Sequence, residues 1–368
     1  MQNNPIRVGI IGAGFGQHVL LPAFRSIDHV VVRGIATTSL QRSQTMADQY
    51  HLPKAYVSWQ AMLDDPDIDA LVIAVPPAVQ QIIIREALQR NKHLFCEKPL
   101  GVSAEVTQAF ASEAAHKKLA NMVDFEFCAI PAWIDANSFL KSGALGQLKI
   151  GMLNWQVETT TNRMKLNSWK RDPEKGGGVL YNFVSHIFYN LEWLCGPIRD
   201  VMIVMDKENV SVHGILKFQC GLVFNICVGT NSYQGSGQRL ELYGEQGMLQ
   251  LVNNTTDVVN GFVLSTSIRN ENTIKHPTQT LSVNHMDGRT TAVSVLANRF
   301  VHWIQSGELQ TPNFFDGHRV NLLIQACQMS YLAEHWVSVT YNLPTVLQNK
   351  NIKNTDNKNN VAPTLQQY

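Results

Sequence analysis

Short apolar runs alternate with helical segments through the first third of the chain. The runs that resemble buried strands are residues 7–11, 30–36, 70–75, 93–96 and 121–125, and the clearest helical stretches between them are residues 79–90 and 104–118. Such alternation is typical of strand–helix–strand units on a parallel sheet. It predicts a doubly wound α/β domain of the Rossmann type over residues 1–124.

After residue 127 the pattern changes to strands joined by turns. A helix at 132–142 precedes strand-like runs at 148–160, 201–204, 210–218, 222–230, 238–243, 247–252 and 262–267, and two helices follow at 291–306 and 317–335. These features predict an α+β domain over residues 125–345, with an open, mainly antiparallel sheet. Residues 346–368 are polar and asparagine-rich, so we expect a disordered tail there.

Composition narrows the classes of partner. The 368 residues are 45% hydrophobic and 16% charged with a net charge of +1, which favours a large core and excludes nucleic acid as a partner. No apolar run is long enough for a membrane span or a secretory signal, so we expect no membrane partner and a cytoplasmic protein. The six cysteines are scattered without metal-ligand spacing, which predicts reduced thiols and no metal site.

A glycine-rich turn follows the first predicted strand. Gly12 suits the tight turn, Gly14 lets backbone amides approach a pyrophosphate, and Phe15 leads to Gly16 at the start of a helix. The G-x-G-x-G spacing alone is also compatible with an ordinary strand–helix turn. Its place after the first strand favours dinucleotide binding, and Pro76, directly after the third strand, is expected to contact the same cofactor.

The end of the second strand indicates which dinucleotide binds. NAD-dependent proteins usually carry an acid there for the adenosine ribose, but no Asp or Glu lies between Asp28 and Asp48. Thr38 and Ser39 can donate to a 2′-phosphate and Arg42 can supply charge. The sequence therefore favours NADP over NAD, with a solvated arginine at the start of a helix as the alternative role of Arg42.

A Glu-Lys-Pro sequence follows the predicted strand at 93–96. Pro99 keeps Lys98 extended at the carboxyl end of that strand, where ligands of such sheets bind. We expect Lys98 to hydrogen-bond a substrate hydroxyl and to help remove its proton, and Glu97 to border the cofactor. A surface lysine at a strand end is the simpler interpretation.

Several ordered motifs together resemble the glucose-fructose oxidoreductase, inositol dehydrogenase and rhizopine-catabolism (Gfo/Idh/MocA) family. They are Gly9 to Gly16, Pro22-Ala23-Phe24, Glu97-Lys98-Pro99-Leu100, Gly143-Ala144-Leu145-Gly146, and Gly176-Gly177-Gly178-Val179-Leu180 followed by Ser185-His186. The resemblance implies the two-domain fold predicted above and reversible NAD(P)-linked oxidation of a sugar or polyol. It also implies homodimers or tetramers that assemble through the C-terminal sheet.

The resemblance also implies catalytic roles. The family's Glu-Lys-Pro lysine corresponds to Lys98 and its histidine after the triple glycine to His186, whereas the family's aspartate is replaced here by Asn182. Because an amide cannot accept a proton, His186 would be the titrating partner of Lys98 on this helix, and Asn182 would orient the imidazole or a substrate hydroxyl. A core histidine is the alternative for His186. Gln80 and Cys128 are further departures from the family pattern.

Polar and aromatic residues beside the triple glycine are candidates for binding a sugar. They are Arg163, Lys165, Trp169, Tyr181 and Asn182. A surface loop would contain similar residues, so that interpretation stays open.

The sequence thus predicts an NADP-preferring oxidoreductase that moves hydride between nicotinamide and a carbinol or ketone carbon of a sugar, polyol or derivative. One alternative is a catalytically silent regulator or partner subunit that senses a nucleotide or sugar. Another is a different NADP-linked reduction on the same scaffold.

Overall fold

A computed structural model describes residues 4–277 and 287–340. The predicted tail at 346–368 lies outside the described residues. No helix within the described ranges is both long enough and apolar enough to cross a membrane.

The N-terminal sheet confirms the predicted parallel architecture. Its six strands have the order β3-β2-β1-β4-β5-β6, and all neighbouring pairs are parallel. The strands are β1 (Ile6–Ile11), β2 (Val30–Ala36), β3 (Lys54–Tyr56), β4 (Ala70–Ile73), β5 (His93–Cys96) and β6 (Asn121–Val123). Sequence patterning missed β3, because a three-residue edge strand is too short to show a period.

Helices cover both faces of this sheet. A π-helical turn (Gly16–Leu20) continues into α1 (Leu21–Arg25), and the others are α2 (Leu40–Gln49), α3 (Trp59–Leu63), α4 (Pro77–Gln89) and α5 (Ala104–His116). The strand order reverses between β1 and β4, whose last residues Ile11 and Ile73 are paired. Ligands of doubly wound sheets bind beyond this point, so the glycine turn and Pro76 lie at its edge.

The second sheet is mixed but mainly antiparallel, as predicted. Its order is β14-β13-β12-β11-β7-β10-β9-β8-β15. The strands are β7 (Leu148–Gln156), β8 (Ile198–Met205), β9 (Ser211–Phe218), β10 (Val223–Gly229), β11 (Gly237–Gly244), β12 (Gly247–Asn253), β13 (Val263–Ile268), β14 (Ile274–Lys275) and β15 (Val337–Ser338). The expectation of turns alone was wrong at one place: β7 and β10 are parallel, because the helical excursion after β7 returns the chain through β8 and β9.

The helices of this half are α6 (Pro131–Lys141), α7 (Thr160–Arg163), a π-helical turn (Leu180–Val184) leading into α8 (Ser185–Cys195), α9 (Arg289–Ser306) and α10 (Phe314–Ala333). Of these, α6 and α10 pack against strands of the second sheet and cover one of its faces. Leu153 and Phe224 on that face are buried, whereas Ile150 and Val223 on the opposite face are exposed. This alternation is what a sheet covered on one side requires.

Helices α9 and α10 return to the N-terminal sheet and hold the two halves together. Phe300 of α9 packs edge-on against Phe24 and Phe95, with ring centroids 6.4 and 5.9 Å away. On α10, the Asn321 side chain donates to Gly101 O at 2.8 Å, and Arg319 pairs with Glu192 of α8 at 2.8 Å in a buried contact. Helix α10 thereby contacts both the segment after Lys98 and the helix that carries His186.

The predicted domain boundaries, residues 1–124 for the first domain and 125–345 for the second, remain predictions.

Candidate active site

The glycine turn has the geometry that a close ligand approach requires. Gly12 has φ +114°, and a Cβ there would lie 2.2 Å from Ala74 O, so only glycine fits. Gly14 has φ +84°, but the space beside it is open: no atom lies within 4 Å of the position of a Cβ. The helical segment from Gly16 begins here and directs its N-terminus at this space, which suits a pyrophosphate.

A cavity of about 550 Å³ lies between the two sheets and includes this turn. Gly14, Phe15 and Pro76 border it on the nucleotide side. Lys98 and His186, which are far apart in sequence, border the same cavity. Its volume is within the range of small-molecule sites.

Lys98 extends from the end of β5 and is fixed at both its backbone and its ammonium group. The Gln80 amide donates to Glu97 O at 2.7 Å and to Pro99 O at 3.1 Å, which holds the backbone on each side of Lys98. The Lys98 ammonium donates to the backbone carbonyl of Asn182 at 2.8 Å. Burial lowers the pKa of Lys98, and the nearby carboxyl of Glu97 partly opposes that shift.

His186 is buried on α8 beside a carboxyl group. Its Nδ1 lies 3.6 Å from Oε2 of Glu126, and both side chains are 8% exposed. The Phe127 ring stacks on the imidazole at 4.9 Å. Burial, followed by the charges of Lys98 and Arg289, holds the pKa of His186 well below its usual range, so the imidazole is neutral.

Asn182 contributes its backbone to the Lys98 contact, while its side chain has another partner. The side-chain amide donates to Lys170 O at 2.7 Å. We expected the side chains at positions 182 and 186 to share one face of an α-helix. Residues Leu180–Val184 form a π-helical turn instead, which changes the angle between these two side chains around the helix axis. Nδ1 of His186 faces Glu126 instead.

Three carboxyl groups lie close together at this site: Glu97 and Glu126 border the cavity, and Asp124 is buried beside them. Glu97 neighbours Asp124, whose two carboxyl oxygens are fully buried, and Glu126 follows two residues later. Burial raises the pKa of all three, and repulsion from Glu97 adds to the rise for Asp124 and Glu126. The pKa of Glu126 rises to about 7. The sequence analysis missed Asp124 and Glu126, although both lie just beyond the end of β6, at the ligand-binding edge of the sheet.

The expected adenosine contacts lie at the carboxyl end of β2. Thr38, Ser39 and Arg42 are exposed there, and Ser39 Oγ accepts from the Arg42 backbone N–H at 3.3 Å to cap α2. The three are not among the residues that border the cavity. Their position beside the crevice suits the distal part of an extended dinucleotide.

The substrate candidates divide into two groups. Trp169 and Asn182 border the cavity. Arg163, Lys165 and Tyr181 do not: Arg163 lies 3.9 Å from Glu158, Lys165 is exposed, and the Tyr181 hydroxyl donates to Val102 O at 3.0 Å. Substrate contact by these three remains a prediction that the cavity does not support.

Arg289 is a cavity residue that the sequence did not indicate. It begins α9, pairs with Asp287 at 2.6 Å, and its guanidinium lies 5.0 Å from the centre of the Phe15 ring. Its signal in the sequence is weak, because it lies far from every motif.

All six cysteines are free, and no described group of three or more His, Cys, Asp or Glu side chains is arranged to hold a metal ion.

A two-sheet fold with an open glycine turn beside a half-buried lysine and a buried histidine is typical of nucleotide-linked oxidoreductases. Residues 6–125 match the oxidoreductase family with an NAD-binding Rossmann fold, and residues 133–250 match the Gfo/Idh/MocA C-terminal domain. The chain belongs to the Gfo/Idh/MocA family. An uncharacterised oxidoreductase of Synechocystis is 28% identical over 361 residues, covering 91% of this chain and 96% of its own.

Solved structures show the same fold. The complex of levoglucosan dehydrogenase with NADH and levoglucosan has a TM-score of 0.82 at 21% identity, covering 91% of this chain and 99% of its own. An inositol dehydrogenase homologue of Azotobacter vinelandii, complexed with NADH and myo-inositol, has a TM-score of 0.79 at 17% identity, covering 91% and 98%.

The Gln80 contacts generate a stability prediction. Gln80→Leu removes the donor to Glu97 O and Pro99 O and leaves buried carbonyls unpaired, so we expect a loss of about 1–3 kcal/mol in the free energy of unfolding. Denaturant unfolding measures it. Gln81→Leu is the matched control, because Gln81 makes one long contact with Val102 N at 3.5 Å. Equal losses in both variants would contradict the role of Gln80.

Proposed function

We propose that this protein is an NAD(P)-dependent oxidoreductase that interconverts a carbinol and a ketone on a sugar, polyol or sugar derivative. The observation that carries the proposal is that Lys98 and His186 border one cavity together with the glycine turn. Bound NAD(P)⁺ supplies the hydride acceptor. The chain supplies the groups that hold the hydroxyl and accept its proton.

Lys98 and His186 have complementary protonation tendencies. A lowered pKa lets the Lys98 amine share the hydroxyl proton while its remaining N–H groups hold the oxygen. The neutral imidazole of His186 is ready to accept a proton at the same cavity. Trp169 and Asn182 border the space left for the ring of the substrate.

Relatives support the substrate class. Levoglucosan dehydrogenase of Pseudarthrobacter phenanthrenivorans is 25% identical over 214 residues, and inositol 2-dehydrogenase of Acidothermus cellulolyticus is 24% identical over 260. Both names describe oxidation of a cyclic compound rich in hydroxyl groups. A cavity of about 550 Å³ is large enough for such a ring beside a nicotinamide.

We further propose that NADP is preferred over NAD. Thr38, Ser39 and Arg42 are exposed at the end of β2, and this region has no acid that would repel a 2′-phosphate. A D-xylose 1-dehydrogenase (NADP⁺) of Haloferax volcanii is 37% identical over 102 residues. NAD is the alternative cofactor, and the NADH complexes of levoglucosan dehydrogenase favour it.

Arg42→Ala tests the cofactor preference. Loss of a charge-assisted hydrogen bond, about 1.5–3 kcal/mol, should weaken NADPH binding by about 10- to 100-fold and leave NADH binding unchanged. Titration of each nucleotide by fluorescence measures this, with the exposed Arg85→Ala on α4 as the control. If NADH and NADPH raise the melting temperature of the wild type equally at matched concentrations, the preference is wrong.

Lys98→Met tests the catalytic proposal. The variant keeps the apolar stem but loses the amine, so turnover should fall by at least about 100-fold while the affinity for nucleotide stays within a factor of two. Steady-state assays with a panel of sugars and polyols measure the first quantity, and nucleotide titration the second. Lys118→Met, at an exposed turn residue just after α5, should behave as wild type. Full turnover by Lys98→Met would exclude the mechanism, and a wild type inactive on the whole panel would favour a silent regulator.

We also propose self-association through the uncovered face of the second sheet. Large apolar side chains that are exposed on its strands include Ile150, Met152, Val204, Ile215 and Val223. An apolar sheet face of this kind is commonly covered by a partner. Sedimentation should show a dimer or tetramer that Ile150→Glu shifts towards monomer. A monomeric wild type would contradict this proposal.

A further inference from the structure

The strongest unassigned feature of the site is Glu126, which the substrate chemistry proposed above does not use. It begins a short 3₁₀ helix (Glu126–Ala129) that follows β6 after Asp124 and Phe125, and its side chain borders the cavity. Its Oε2 lies 3.6 Å from Nδ1 of His186, which has no hydrogen-bond partner in the described structure. Catalytic hydrogen bonds are often this long without ligand and shorten when substrate is bound.

The aromatic neighbours of His186 restrict how its ring can turn. Phe127 stacks on the imidazole with an interplanar angle of 13°, and Phe125 meets it edge-on at 6.5 Å. These contacts fix the plane of the ring, and within that plane Nδ1 lies on the side of Glu126. The Asn182 amide, in contrast, is engaged with Lys170 O.

We propose that Glu126 is the proton acceptor behind His186, taking the role that a carboxylate at position 182 would otherwise fill. The inference rests on the proposed function. Glu126 acts through the imidazole and is therefore a positioning residue, and the carboxylate is supplied by the segment after β6 instead of by the helix after the triple glycine.

In the proposed oxidation, bound NAD(P)⁺ would take the hydride from the carbinol C–H bond as that bond breaks. The O–H proton goes to Nε2 of His186. The Nδ1–H bond of the imidazole then breaks and its proton goes to the Glu126 carboxylate, which restores neutral histidine. Glu126 releases the proton to water in the cavity that it borders. The net products are ketone, NAD(P)H and one proton.

The charges around Glu126 set the pH at which it can accept a proton. Burial and then repulsion from Glu97 raise its pKa to about 7, and Lys98 and Arg289 oppose the rise. Asp124, from the segment after β6, repels the same ionised carboxyl, and His186 of α8 faces it. Because the folded pKa is raised, the accepting ionised form is present above about pH 7 and is lost as the pH falls below that value.

The first experiment compares wild type, Glu126→Gln and Glu126→Asp in the oxidative direction from pH 5.5 to 9. We expect a wild-type kcat that falls below about pH 7. Glu126→Gln should lose this pH dependence and lower kcat by about 10- to 100-fold, with unchanged nucleotide affinity, and Glu126→Asp should restore the pH dependence in part. The control Asp316→Asn changes another buried carboxyl with a pKa of about 7, on α10, and should keep the wild-type profile. A wild-type kcat and profile in Glu126→Gln would overturn the proposal.

The second experiment needs neither substrate nor nucleotide. Nitrogen-15 NMR of the imidazole groups should show His186 of the wild type with Nδ1 protonated above about pH 7 and a changed tautomer below it, and no such change in Glu126→Gln. A wild-type His186 signal that is constant from pH 5.5 to 9 would overturn the proposal, even if the variant does not fold. If the wild type turns over no sugar or polyol, the proposed function fails, whereas this titration still decides whether Glu126 controls His186.

Discussion

The hydrogen bond from the Lys98 ammonium to the Asn182 carbonyl is the contact on which the site depends. It joins the end of β5 in the first sheet to the turn before α8 in the second unit. Gln80 holds the backbone beside Lys98, and α10 ties the following segment to α8 through Asn321 and Arg319. A long, flexible lysine is thereby held in one place, which is the preorganisation that a proton-sharing group needs.

Burial gives this site its proton chemistry. Glu97, Asp124 and Glu126 lie close together with Lys98 and His186, where each charge is poorly solvated. Acids in such surroundings hold their protons to higher pH, and bases lose theirs at lower pH. The carboxyls, the amine and the imidazole therefore have pKa values closer together than in water, so moving a proton among them requires less free energy.

Two departures from the family pattern are accompanied by groups from other elements. Asn182 stands where relatives have aspartate, and Glu126, from the segment after β6, brings a carboxyl to His186. Cys128 is another departure: burial raises the pKa of its thiol to about 11, and the positive charge of the nearby Arg299, from α9, opposes that rise. Because several elements converge on one cavity, a given chemical group can be supplied from more than one place in the chain. A change at one position of a motif is therefore weak evidence that activity is lost. The set of groups that the folded site brings together is the better guide.

Local patterns were enough to predict the parallel sheet, the mainly antiparallel second sheet, the glycine turn and the Glu-Lys-Pro segment, because these depend on periodicity, turn chemistry and a strand end. The folded chain alone revealed the parallel β7–β10 pair, the contact of the Asn182 amide with Lys170 O and the approach of Glu126 to His186. Those features depend on contacts between residues distant in sequence and on a π-helical turn at Leu180–Val184, and neither leaves a periodic signal in the chain.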